Sequence, residues 1–200
     1  MDQNRGFSLI EVLIVVAIAT SLVLIVSNLS GNVSGLNTLI NQQLQSKSDT
    51  AQTLQIMTSE IRSAEPSANG AYPIDSAATG SFAFYSDLQK NGIIDHVRYF
   101  LSSSTIYKGV IAPTGTPATY PTSSEVVTDI IDNVAVTSST PLFTYYGPDY
   151  TGTQAPLTMP VAIADVRLVD IAFTAATNAA NSSTPQYFSS LIDIRNLRSN

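Results

Sequence analysis

The sequence predicts an α+β fold: one long N-terminal α-helix, transmembrane in its first half and amphipathic in its second, packed against an antiparallel β-sheet. Three observations predict it. Residues 7–26 form a nearly unbroken apolar run, about the 20 residues a helix needs to cross a bilayer. Residues 36–61 carry apolar side chains mostly three or four apart, the spacing of one helical face. After Pro66 the pattern changes to alternation punctuated by Gly, Asn and Pro, which reads as strands and turns. Antiparallel strands closing over one amphipathic helix make an α+β architecture.

The apolar run is too long for the core of a secretory signal, which takes roughly 7–15 residues, and no small-x-small cleavage site follows it. The one processing point is Gly6, ahead of the run. Cleavage there leaves the hydrophobic segment on the mature chain, with Phe7 as its new N-terminus. A free α-amino group then lies one helical turn from Glu11. An ionisable side chain within a membrane span costs on the order of 3 kcal/mol by insertion scales, less near the end, and marks function. A plain anchor explains neither Gly6 nor the position of Glu11.

The amphipathic stripe is Leu36, Ile40, Leu44, Leu54, Met57 and Ile61, with Lys47 and Ala51 in its weaker middle. Pro66, followed by Ser67, Asn69 and Gly70, stops the helix. One helix over residues 7–64 is therefore expected, roughly 85 Å long at 1.5 Å per residue. Gly31 and Gly35 have the G-x-x-x-G spacing that brings apolar helices close. In their polar surroundings they read instead as a weak point, each costing about 1 kcal/mol relative to Ala. Residues 28–35 are the segment where this helix would melt on assembly.

Strands are expected over residues 81–88 and 93–101, joined through Asn91-Gly92, a hairpin signal. Residues 105–112, 142–146, 166–174 and 187–194 complete the sheet. Residues 113–124 and 147–160, rich in Pro, Thr and Gly, are loops, and residues 125–136 stay open between a short helix and a strand. The domain layout is a leader over 1–6, a span over 7–26, the amphipathic half of the helix over 27–65 and a head over 66–200 that packs on 36–64.

With 200 residues the chain holds one modest domain plus an anchor. A net charge of −6, with 12% of residues charged, argues against nucleic-acid binding by a basic surface. Arg5 is the one cation near the start of the span, and nothing basic follows until Lys47, which favours the leader inside the cell and the bulk outside. There are no cysteines, so no disulfide is available.

No catalytic residue and no cofactor are expected. Asp87-x-Gln89-x-Asn91-Gly92-x-x-Asp95 has the oxygen spacing of a calcium loop, making Asp87, Asn91 and Asp95 a weak metal candidate. Gln89 at the third ligand position, and Arg98 where the bidentate acid belongs, favour a plain hairpin tip. His96, the only histidine, sits beside Asp95 on the opposite face of its strand and reads as an exposed residue outside any Ser-His-Asp relay. Tyr107, Tyr120, Tyr145, Tyr146 and Tyr150 read as core and loop packing in preference to an aromatic binding surface. Asn181-Ser182-Ser183 fits a glycosylation sequon.

Gly6-Phe7-Ser8-Leu9-Ile10-Glu11-Val12-Leu13 resembles the processing site of type IV prepilins and pseudopilins. The resemblance implies the type IV pilin fold and a prepilin peptidase that cuts after Gly6 and N-methylates Phe7. It implies that Glu11 pairs with a neighbouring subunit's N-terminal amine during assembly, which fits the cost of a buried carboxylate left alone. Its implied partners are other pilin or pseudopilin subunits, the peptidase and an inner-membrane assembly platform. The implied location is the cytoplasmic membrane with the head outside, then a pilus or periplasmic pseudopilus. FYSDLQKNGIIDHVRYFL, then NVAV, LFTYY, IADVRLVDIAFT and LIDIRNL resemble the minor pilins of the PilW kind and the J-type minor pseudopilins of type II secretion. That points to a minor, non-enzymatic subunit. The alternative is a single-pass, membrane-anchored extracytoplasmic binding domain or enzyme that joins no filament.

Overall fold

The computed structural model describes residues 8–176 and 185–197, apart from the side chains of residues 26, 28–39, 42 and 43. The chain divides into two compact units, Met1–Gln45 and Ser46–Asn200. The helix α1 spans Leu9–Arg62, close to the 7–64 expected. It runs unbroken through Gly31 and Gly35, so the expected weak point is helical in the isolated chain.

In the first unit, α1 is apolar on every side between Leu9 and Ile25, and the large side chains there are exposed. The two hydroxyls of this stretch turn back on the helix: Thr20 donates to the Val16 carbonyl at 2.7 Å and Ser21 to the Ala17 carbonyl at 2.8 Å. Such back-bonding satisfies them without water. Among the described residues no helix is long and apolar enough to cross a membrane. The described apolar run stops at Ile25; Phe7 and the side chain of Val26, which complete it in the sequence, lie outside the described residues.

In the second unit, the end of α1 supplies one wall of the core. Leu54, Met57, Ile61 and Ala64 are buried. Ile40 and Leu44, in the first unit, are exposed. Two sheets complete the head where one was expected. The first is an antiparallel meander of β1 (Ile74–Ala77), β2 (Ser81–Ser86), β3 (Asp95–Ser102), β4 (Thr105–Ile111) and β5 (Val126–Ile131), in that order. The second comprises β6 (Val134–Ala135), β7 (Phe143–Tyr146), β8 (Leu168–Ala176) and β9 (Pro185–Asp193). Its centre is β8, which pairs with β9 along one edge and with β6 and β7 along the other.

Residues 125–136, open between helix and strand, thus form β5 and β6. Strand β1 was not expected: four residues after a Pro and Gly loop carry too little pattern. The 86–95 connection is longer than a two-residue hairpin turn, with positive φ at Lys90 and Gly92 and not at Asn91.

Alternation places the core. Asp95, Val97 and Tyr99 of β3 are buried while His96, Arg98 and Phe100 are only partly covered. Phe82 joins the sheets, its ring 5.9 Å from Phe143 and 5.8 Å from Tyr145. Each such fully buried side chain contributes about 1.5–3 kcal/mol. Tyr145 also donates to the Ala78 carbonyl at 2.7 Å, and burial raises its phenol well above the usual value.

On the other face of the first sheet, Arg98 makes a two-pronged pair with Glu125, at 3.0 and 2.8 Å. Gly109 is the cross-strand partner of Arg98. A Cβ there would meet Glu125 Oε1 at 2.0 Å, so only glycine lets this carboxylate cross β4. Gly109→Ala should therefore cost about 1 kcal/mol, the loss of a well-formed surface ion pair, and lower the urea midpoint. In a Glu125→Ala background the same change should be neutral, because the obstacle is gone.

Candidate functional site

The N-terminal motif places Glu11 in the first turn of α1. Ser8 caps that turn: its side-chain oxygen accepts the Glu11 N–H at 3.3 Å, and its carbonyl accepts the N–H of Glu11 at 3.1 Å and of Val12 at 3.3 Å. The Ser8-x-x-Glu11 spacing is that of a capping box, a signal present in the sequence itself. It fixes the helix start two residues after Phe7. An acid in the first turn also suits the positive end of the helix dipole. The Glu11 carboxylate is exposed and has no hydrogen-bond or ion-pair partner among the described residues. It stands amid exposed Leu9, Ile10, Val12, Leu13 and Ile14. Gly6 and Phe7 lie outside the described residues.

The second unit is held to the end of α1 by polar contacts around the buried stripe. Glu60 accepts a hydrogen bond from Tyr99 of β3 and one from Lys108 Nζ of β4 at 2.7 Å. Burial, then the Glu60 charge, pushes the Tyr99 phenol far up. Thr58 meets Ser190 of β9 at 3.0 Å, so the same helical turn reaches both sheets. Asn196, in the short turn Arg195–Leu197, donates to the Ala64 carbonyl at 2.8 Å. This turn thus ties down the segment just past the end of the helix.

Of the calcium candidates Asp87, Asn91 and Asp95, the first two bond to the backbone of their own loop. Asp87 Oδ1 accepts the Asn91 N–H at 3.1 Å, and Oδ2 accepts the Gly92 N–H at 2.7 Å. The Gly92 amide holds the Asp87 carboxyl below its usual range. Asn91 Oδ1 accepts the Ile93 N–H at 3.0 Å. Asp95 is buried, and burial, then the nearby Asp87, raises its carboxyl. Among the described residues no group of three His, Cys, Asp or Glu is placed to hold a metal ion.

His96 is not the exposed residue expected. Its ring lies 5.1 Å from that of Tyr85 and 6.2 Å from that of Tyr120, and its side chain is only 13% exposed. Nε2 is 3.2 Å from Asp75 Oδ2, while Nδ1 is buried without a partner among the described residues. The unforeseen strand β1 supplies Asp75, which is why the sequence hid this pairing. Burial, then Asp75, pushes the Tyr85 phenol up to about 12. Of the other tyrosines, Tyr145 is in the core, Tyr107 stacks on Phe100 and Tyr146 packs against Tyr150. The Asn181 sequon lies outside the described residues.

Residues 1–27 match the prokaryotic N-terminal methylation motif. The match supports a type IV prepilin-like protein processed by a prepilin peptidase, with pilin subunits as the kind of partner it implies. No curated protein matches the chain. The α+β arrangement, with its N-terminal helix packed with antiparallel strands, matches the type IV pilin fold.

Glu60→Ala should cost about 2–3 kcal/mol in urea unfolding of the whole chain, since it leaves a buried phenol and an ammonium without their shared acceptor. Glu60→Gln, which keeps one acceptor oxygen, should cost less.

Proposed function

We propose that this chain is a minor pilin-like structural subunit, without enzymatic activity, that is processed after Gly6, methylated on Phe7 and assembled into a type IV pilus or a type II secretion pseudopilus. The observation that carries the reading is a helix start that is apolar on all sides, exposed, and interrupted by one carboxylate, Glu11, unpaired among the described residues. A helix that is hydrophobic all round belongs in lipid or among other helices. The precursor would sit in the cytoplasmic membrane through residues 7–26 with its head outside. Assembly would exchange lipid for like helices, and Glu11 would take the N-terminal amine of a neighbouring subunit as its counter-charge. An assembly platform in the inner membrane would carry out the transfer.

The minor-subunit assignment rests on the resemblance of the head to PilW-like pilins and J-type pseudopilins. Residues that carry that resemblance have structural uses here. Phe84 is core, Asp87 ties its loop, Arg98 holds Glu125 and Tyr99 reaches Glu60.

Gly6→Ala should leave a precursor about six residues longer by mass spectrometry and abolish surface assembly. Finding Met1 on functional, surface-exposed protein would overturn the reading. Glu11→Ala should be processed normally while its incorporation falls; normal incorporation would remove the proposed role of Glu11.

A further inference from the structure

Asp170 lies in the middle of β8, between core residues Val169 and Ile171, so its side chain leaves the sheet on the outer face. Its cross-strand neighbours are Thr144 of β7 and Leu191 of β9. A cavity of about 360 Å³ opens there, lined in part by Thr144, Tyr146, Met159, Asp170 and Tyr187. Among the described residues Asp170 is the one charged residue in that lining. Tyr150 backs Tyr146, with ring centroids 4.1 Å apart.

Asp170 has neither hydrogen bond nor ion pair among the described residues. It is partly withdrawn from water, and this burial raises its carboxyl above the usual range. Burial is also the first cause raising the Tyr146 phenol, followed by Tyr150, Asp170 and Tyr187, so these three groups lie within electrostatic reach of Tyr146. A half-buried carboxylate without a counter-charge weakens the fold, and nothing in the packing of β8 requires an acid at this position. Tyrosine faces attract cations. A carboxylate beside such faces, in a cavity with no other charge, fits a cationic group of side-chain size.

We propose that Asp170, Tyr146 and Tyr187 form a binding site for a basic side chain, arginine or lysine, presented by a partner polypeptide. Charge complementarity argues for that occupant: the lining supplies one negative charge and no positive one. The carboxylate takes hydrogen-bond donors as well as charge. A guanidinium supplies both and lies flat on an aromatic ring, whereas a quaternary ammonium supplies charge alone. The site stands on the second sheet and does not depend on filament assembly.

The test is a titration of the full chain in detergent micelles with Nα-acetyl-arginine amide, Nα-acetyl-lysine amide and tetramethylammonium, followed by tyrosine resonances. The arginine and lysine probes should saturate, and Asp170→Asn should weaken them about tenfold or more. Asp170→Asn removes a half-buried charge and should fold at least as stably as the parent. Tyr187→Ser, at a residue 57% exposed, leaves the core intact and should also weaken binding. Absence of saturable binding, equal binding to Asp170→Asn, or preference for tetramethylammonium over arginine would each overturn the proposal.

Discussion

An apolar helical surface with one carboxylate, unpaired among the described residues, is the constraint on which the rest of this molecule turns. Between Leu9 and Ile25 every face of α1 is hydrocarbon except at Glu11, Thr20 and Ser21, and that hydrocarbon is exposed in the isolated chain. At roughly 25 cal/mol per Å² of apolar area, leaving it in water is costly, and no packing within a single straight helix relieves the cost. The backbone is already satisfied and the hydroxyls of Thr20 and Ser21 bond back to it. Glu11 is then the one group in the stretch that calls for a partner of opposite charge. The chemistry therefore asks for two things together: an apolar surrounding and a cation near the helix start. A neighbour's processed N-terminus would supply the second at the depth where it is needed.

The head solves a different problem. Its sheets are too small to bury their own apolar faces alone, and the end of α1 supplies the missing side of the core with Leu54, Met57, Ile61 and Ala64. The polar contacts then fix the helix against slipping. Glu60 takes donors from two strands of the first sheet, Thr58 touches the second, and Asn196 closes the helix end. Any change that loosens this turn loosens both sheets at once.

Periodicity carried much of the fold because the pattern switch at Pro66 is a direct consequence of burial geometry: 3.6-residue spacing for one helical face, two-residue spacing for strands. The helix bounds and the strands β2, β3, β4, β7, β8 and β9 were legible this way. What was hidden depended on pairing at a distance. The division into two sheets follows from register, which a single sequence does not display. Strand β1 is too short to announce itself, and with it went the Asp75 partner of His96. At the N-terminus, Glu11 was legible as an odd charge in an apolar run, while the part played by Ser8 had to be seen in its hydrogen bonds. Asp170 was invisible in advance, since an acid on an alternating strand ordinarily faces water.

The filament role proposed for this chain requires that Glu11 meet a neighbouring subunit's N-terminal amine. Zero-length carbodiimide coupling of assembled filaments, with this chain isotopically heavy and its neighbours light, measures it directly. The account predicts a cross-linked peptide joining heavy Glu11 to the N-terminal residue of a light subunit. Filaments that contain the chain yet yield Glu11 joined only to its own Phe7, or joined to no amine, would contradict it.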